Sequence, residues 1–184
     1  MQALSLGEIL EWCESRMILF SDSGFPYFEQ EERYEILYEQ KVDQAYSVTY
    51  LASHPFPWSE GDLSGDCMVW IYKRDYWGEA LEKLGEQMAK DLRAAWNLTG
   101  SLNDTPGIVF TAKEKYQLWS YSTLPYLFGW DAFVVPSSGN YFAFISNEET
   151  VHLVTRTKEM QEKFLHSLTD RNPKVDDGSY FEKL

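Results

Sequence analysis

Three histidines, two cysteines and a scatter of carboxylates are the reactive side chains of this 184-residue sequence, and their spacing limits the chemistry within reach. His54, His152 and His166 never fall four residues apart, so no helix offers two imidazoles to one metal ion. Cys13 and Cys67 make neither a CxxC motif nor a disulfide framework, and the patterns around them read as small buried hydrophobes. There is no Gly-x-Ser-x-Gly elbow to expose a serine nucleophile, and no Gly-rich run to cradle a phosphate at a helix start. Glu60, Asp62 and Asp66 share one polar loop. Three oxygens fall short of the six or more that Ca²⁺ takes, and the spacing misses the EF-hand pattern. The sequence therefore implies no metal and no cofactor.

Two sets of residues remain as candidates. Tyr27, in a Pro-aromatic stretch at 25–28, and Phe56 and Trp58, in a second at 54–58, stand beside acidic segments that include Glu60, Asp62 and Asp66. Large aromatics ringed by charge are how protein interfaces are anchored. The competing reading is that proline stiffens these loops and the rings tuck onto the core. The second set is Trp130, Asp131 and His152, which a strand meander can bring towards one sheet edge as a small-ligand or catalytic site.

Charge favours the first set. The chain holds 29 acidic and 16 basic residues, a net −13, and 13 acids face only 3 bases within residues 1–66. Such a field repels phosphate backbones and anionic membrane surfaces, which argues against nucleic acid and membrane as partners. It would instead speed encounter with a basic protein; the competing reading is that the charge serves only solubility. The N-terminal residues lack the basic region of a secretory signal, and no apolar run approaches the ~18 residues of a membrane span, so a cytoplasmic protein is expected. The functional expectation is a non-enzymatic interaction module binding a basic partner, of the inhibitor, immunity, antitoxin or adaptor kind. The alternative is an enzyme or ligand-binding protein whose site is assembled from scattered residues.

The elements that must position these residues are uneven in clarity. Residues 130–135, 141–145 and 151–155 are apolar runs of strand length separated by turn chemistry, which predicts an antiparallel meander. A helix begins near Thr157, with Met160, Phe164, Leu165 and Leu168 on one stripe. Upstream, the spacing predicts helices over 6–20 and 76–97, the latter burying Leu81, Leu84, Met88, Leu92 and Ala95, with Asp75 as its cap. Glu79–Lys83 and Glu86–Lys90 pair along its outer face. Thr111 and Glu114 form a capping box for a helix ending near Tyr121, before Pro125. Alternation predicts strands over 42–52 and 67–73, while residues 29–41 carry both periods and a composition that favours helix. The fold class is α+β: one domain over 1–184, a single layer of about five antiparallel strands with three to five helices, and a loosely held tail from about 170.

Overall fold

A computed structural model of the chain describes residues 1–22, 24–30, 32, 34–39, 65–74, 78–148, 150–168 and 173–176. The strands are β1 (Gln2–Leu4), β2 (Ile18–Phe20), β3 (Pro26–Phe28), β4 (Tyr34–Glu39), β5 (Cys67–Lys73), β6 (Gly107–Phe110), β7 (Asp131–Pro136), β8 (Tyr141–Ile145), β9 (Thr150–Thr155) and β10 (Lys174–Asp176). The helices are α1 (Leu6–Glu14), α2 (Glu79–Ala95), α3 (Lys115–Phe128) and α4 (Lys158–Ser167). Eight strands form one antiparallel sheet in the order β1-β6-β5-β7-β8-β9-β4-β10, and β2 and β3 form a separate two-stranded ribbon.

Both faces of the sheet are covered, which explains why its central strands read as unbroken apolar runs. On one face Val69, Ile71, Val134, Ala143, Ile145 and Leu153 meet side chains from α2, α3 and α4. On the other, Met68, Trp70, Phe133, Phe142, Phe144 and Val154 meet α1 and the β2–β3 ribbon through Ile9, Cys13, Ile18 and Phe28. The class is therefore α+β, and the predicted antiparallel meander is present: Phe133 opposes Phe144, and Phe144 opposes His152. Helix α4 starts where its cap predicts, the Thr157 hydroxyl accepting the Met160 N–H at 3.2 Å. Thr157→Ala removes that acceptor and should cost about 1 kcal/mol, seen as a lower urea midpoint at unchanged slope.

Several expectations are corrected. The main sheet has eight strands rather than about five, because β1 and β10 are three residues each and too short to show a period. Of the C-terminal tail, Lys174–Asp176 pairs with β4. The first helix stops at Glu14 instead of 20: Met17 takes φ 53°, a left-handed turn, and Ile18–Phe20 leaves as a strand. Residues 34–39 are strand, not helix, because Ile36 and Tyr38 gain a sheet face between β9 and β10 that outweighs helix-favouring glutamates. Helix α3 runs past Pro125 to Phe128, and Gly129 closes it in the left-handed conformation at φ 59°.

The largest correction concerns α2. Its buried residues are Gly85, Ala89 and Arg93, whereas Leu81, Leu84 and Met88 are exposed, Leu84 by 55%. The helix approaches the sheet on small residues because the bulk of Trp130 and Phe128 already fills the space beneath it. Its cap position is Gly78, which makes no side-chain cap bond; Asp75 lies outside the described residues, as does the strand expected over 42–52. Lys83 does pair with Glu79, but Glu86 pairs with Arg74 rather than Lys90.

Candidate functional site

The layer made by α1 and the β2–β3 ribbon, with its flanking turns, exposes Glu8, Glu11, Glu14, Asp22, Glu29 and Glu32. Ser5 and Glu8 start α1 with a reciprocal capping box, which fixes the direction of the helix. Ile9 and Cys13 then face the sheet, leaving Leu6, Leu10, Glu11 and Glu14 on the outside. In the ribbon, Leu19 opposes Tyr27 on the outward side, while Ile18 and Phe28 are buried. Tyr27 is 42% exposed and Met17, at the corner before β2, 66%. Asp22, Glu29 and Glu32 are exposed in the flanking turns.

The cations of this region are turned to structural use. Arg16 lies 3.5 Å over the Trp12 ring and donates to the Ser137 carbonyl at 3.1 Å and the Trp12 carbonyl at 2.6 Å. Burial pulls its pKa below the usual range, with Asp66 among the groups that oppose the shift. Arg156 donates to the Arg16 carbonyl at 2.8 Å and to the Gly139 carbonyl at 3.2 Å, and lies 4.4 Å from the centre of the Phe28 ring. Together they fasten the α1–β2 corner to the β7–β8 turn. The acids on the outer surface are left in excess.

Of the sequence-predicted interface residues, the structure thus places Tyr27 on this outer surface. Asp66 lies at the foot of β5, half-buried, its carbonyl accepting the Ser137 N–H at 2.7 Å. Phe56, Trp58, Glu60 and Asp62 lie outside the described residues. Glu11, Glu14 and Met17 were not singled out by sequence. The two glutamates had a signal, since Glu11 falls opposite Ile9 and Cys13 on the helical wheel and Glu14 falls off their face; Met17 had none, because in a helix expected to run to 20 its spacing puts it on the apolar side with Ile9 and Cys13.

Trp130, Asp131 and His152 are not brought together. Trp130 is fully buried on the helix side of the sheet, its ring 5.3 Å from that of Phe128. Asp131 accepts the Asn147 N–H at 2.8 Å and so secures the β8–β9 turn. His152 lies in the row Phe133, Phe144, His152 across the opposite face, its ring centre 6.1 Å from that of Phe144. Two strand spacings and two residues along separate Asp131 from it, about 12 Å. Burial pushes the His152 pKa down from 6.5 to about 4. The thiols are equally quiet: burial pushes Cys13 up to about 12 and raises Cys67 as well, so neither is a nucleophile at neutral pH.

Sequence reasoning also passed over Arg93, which stands on the buried stripe of α2 with only 2% of its surface exposed. Its Nη1 donates to the Thr105 carbonyl at 3.0 Å, and its Nη2 to the Thr99 carbonyl at 3.3 Å and to the Thr105 hydroxyl. Burial raises the pKa of the Tyr121 phenol, and the charge of Arg93 opposes that rise. The stripe Gly85, Ala89, Arg93 at i, i+4, i+8 was a usable signal. It was masked by the stronger apolar stripe on the neighbouring flank.

Among the described residues no group of three or more His, Cys, Asp or Glu side chains is clustered to hold a metal ion, and no helix is long and apolar enough to cross a membrane. Compared with known proteins, the chain matches no family model, no curated protein and no solved structure.

Proposed function

We propose that the protein is a non-enzymatic interaction module that binds a basic protein through the outer face of its N-terminal layer. One observation carries the reading. Glu11, Glu14, Asp22, Glu29 and Glu32 are exposed there beside Leu10, Met17 and Tyr27, while the one described basic side chain of the layer, Arg16, is tied down by carbonyls and Trp12. Exposed apolar anchors with a one-sign rim suit a partner of opposite charge, for which the acids set the association rate and the anchors the residence time. An inhibitor, an immunity or antitoxin-type protein or an adaptor would suit this description, and none of these roles requires a reactive centre.

The alternative of a ligand or catalytic site on Trp130, Asp131 and His152 has against it that Trp130 and His152 lie on opposite faces of the sheet. The proposal is tested by affinity capture on the intact protein over a salt series, beside a Glu11→Lys/Glu14→Lys/Asp22→Lys variant and a Tyr27→Ala variant. A basic protein should be retained, released as salt rises, and bound at least tenfold more slowly by the charge-reversed variant. Retention that ignores both salt and the reversal would reject the reading, as would retention of nothing basic.

A further inference from the structure

The polar flank of α2 faces a pocket of about 150 Å³, walled by Glu86, Lys90 and Arg93 of the helix and by residues 100–103 of the loop that follows. The loop is shaped by its own bonds: the Ser101 hydroxyl donates to Asp104 at 2.7 Å, and the Thr105 hydroxyl donates to the Ser101 carbonyl at 3.1 Å. Arg74 reaches across the rim to both Glu86 and Asn103. That contact neutralises the one carboxylate in the wall, because Glu86 and Arg74 form an ion pair.

Two cations are then left over. Lys90 is exposed and pairs with no carboxylate among the described residues, its i−4 neighbour Glu86 being occupied by Arg74. Arg93 is almost wholly buried, yet every acceptor it reaches among the described residues is neutral: two carbonyls, the Thr105 hydroxyl and the Tyr121 phenol. Its Nε–H has no acceptor among the described residues. A buried charge is ordinarily matched by an opposite one. Among the described residues that match is missing, in a chain of net charge −13 whose carboxylates outnumber its cations almost two to one.

We propose that this pocket binds a small oxyanion, a carboxylate or phosphate group, held between Lys90 and Arg93 with Leu102 as an apolar wall. The volume admits an ion of that size or the acidic end of a small metabolite. Lys90 supplies a mobile point charge at the mouth and Arg93 a fixed planar donor at the back, the two forms of cation that recognise such groups. The site is separate from the acidic layer across the sheet, so it stands or falls independently of the proposed partner.

The test is an NMR titration of the intact protein with sodium phosphate and, separately, sodium acetate, each against sodium chloride at equal ionic strength. Saturable shifts of the amides around Lys90, Arg93 and residues 100–103, seen with either oxyanion and not with chloride, are expected; the arm that saturates first assigns the phosphate or carboxylate preference. Arg93 also holds the loop, so its replacement can unfold the region. Lys90→Gln is the informative variant, exposed and free of structural bonds, and should weaken binding about tenfold, the worth of one charge-assisted hydrogen bond. Shifts that grow linearly and equally in all three salts would overturn the site, as would oxyanion affinity unchanged in Lys90→Gln.

Discussion

Gly85→Ala should destabilise the protein by about 3 kcal/mol, although the same change inside an exposed helix stabilises by up to about 1 kcal/mol. A Cβ built on Gly85 lies 2.3 Å from Cζ2 of Trp130, 2.8 Å from its Cη2 and 2.8 Å from Cγ of Phe128. None of these is the free end of a flexible side chain. Trp130 and Phe128 are aromatic rings locked in the core, and to accept a methyl group either they or the helix must move. Overpacking of this kind typically costs 1–3 kcal/mol and occasionally more, and the helix-propensity gain offsets only part of it. Gly7→Ala in α1, where nothing lies within 4 Å of the new Cβ, is the matched control and should be neutral or slightly stabilising. Trp130→Phe removes the part of the ring that collides, along with an indole N–H that has no acceptor among the described residues. The double variant Gly85→Ala/Trp130→Phe should therefore lose less than the sum of the two single changes. Chemical unfolding of the four proteins decides the matter. Strict additivity, or a Gly85→Ala protein as stable as the parent, would mean that α2 does not rest on Trp130.

Stability should also fall by about 3 kcal/mol between pH 6.5 and pH 4 on account of His152 alone. The sign follows from where the proton goes. In the fold the imidazole is fully buried and burial depresses its pKa to about 4, whereas in the unfolded chain it titrates near 6.5. Above pH 6.5 neither state carries the proton, and the term is constant. Below 6.5 the unfolded state binds it first and is favoured, until the native state also protonates near pH 4. Carboxylates add their own acid limb lower down. Glu35 is buried on the same face, opposite Val154 and one diagonal step from His152. His152→Leu should flatten the limb between pH 6.5 and pH 4 while leaving the lower one in place. If urea midpoints of the parent and the variant fall in parallel over that range, His152 is not the group responsible.

The meander was legible because covering a sheet on both faces writes long apolar runs, and turn residues at 136–140 and 146–148 leave little choice of register. Capping boxes at Ser5 and Thr111 were legible for a local reason, since they need only residues three apart. What could not be read was anything decided by distant partners. The pattern at 34–39 fits helix or strand equally, and only the open ladders of β9 and β10 select strand. The apolar stripe of α2 was the most regular in the chain and still did not predict burial, because the sheet beneath could receive only glycine and alanine. For the candidate surface, sequence supplied the charge and Tyr27 but not the neighbours; the stripe that carries Arg93 was outweighed by the apolar one beside it, and a lone arginine on a helix is normally solvated.

The placement of β4 between β9 and β10 has a consequence for biosynthesis. Residues 34–39 leave the ribosome early, yet their two hydrogen-bonding neighbours begin at residues 150 and 174. At ordinary translation speeds the segment waits on the order of ten seconds with both of its ladders open. During that interval Ile36 and Tyr38 have neither of their sheet partners, so the segment is open to pairing with a neighbouring chain.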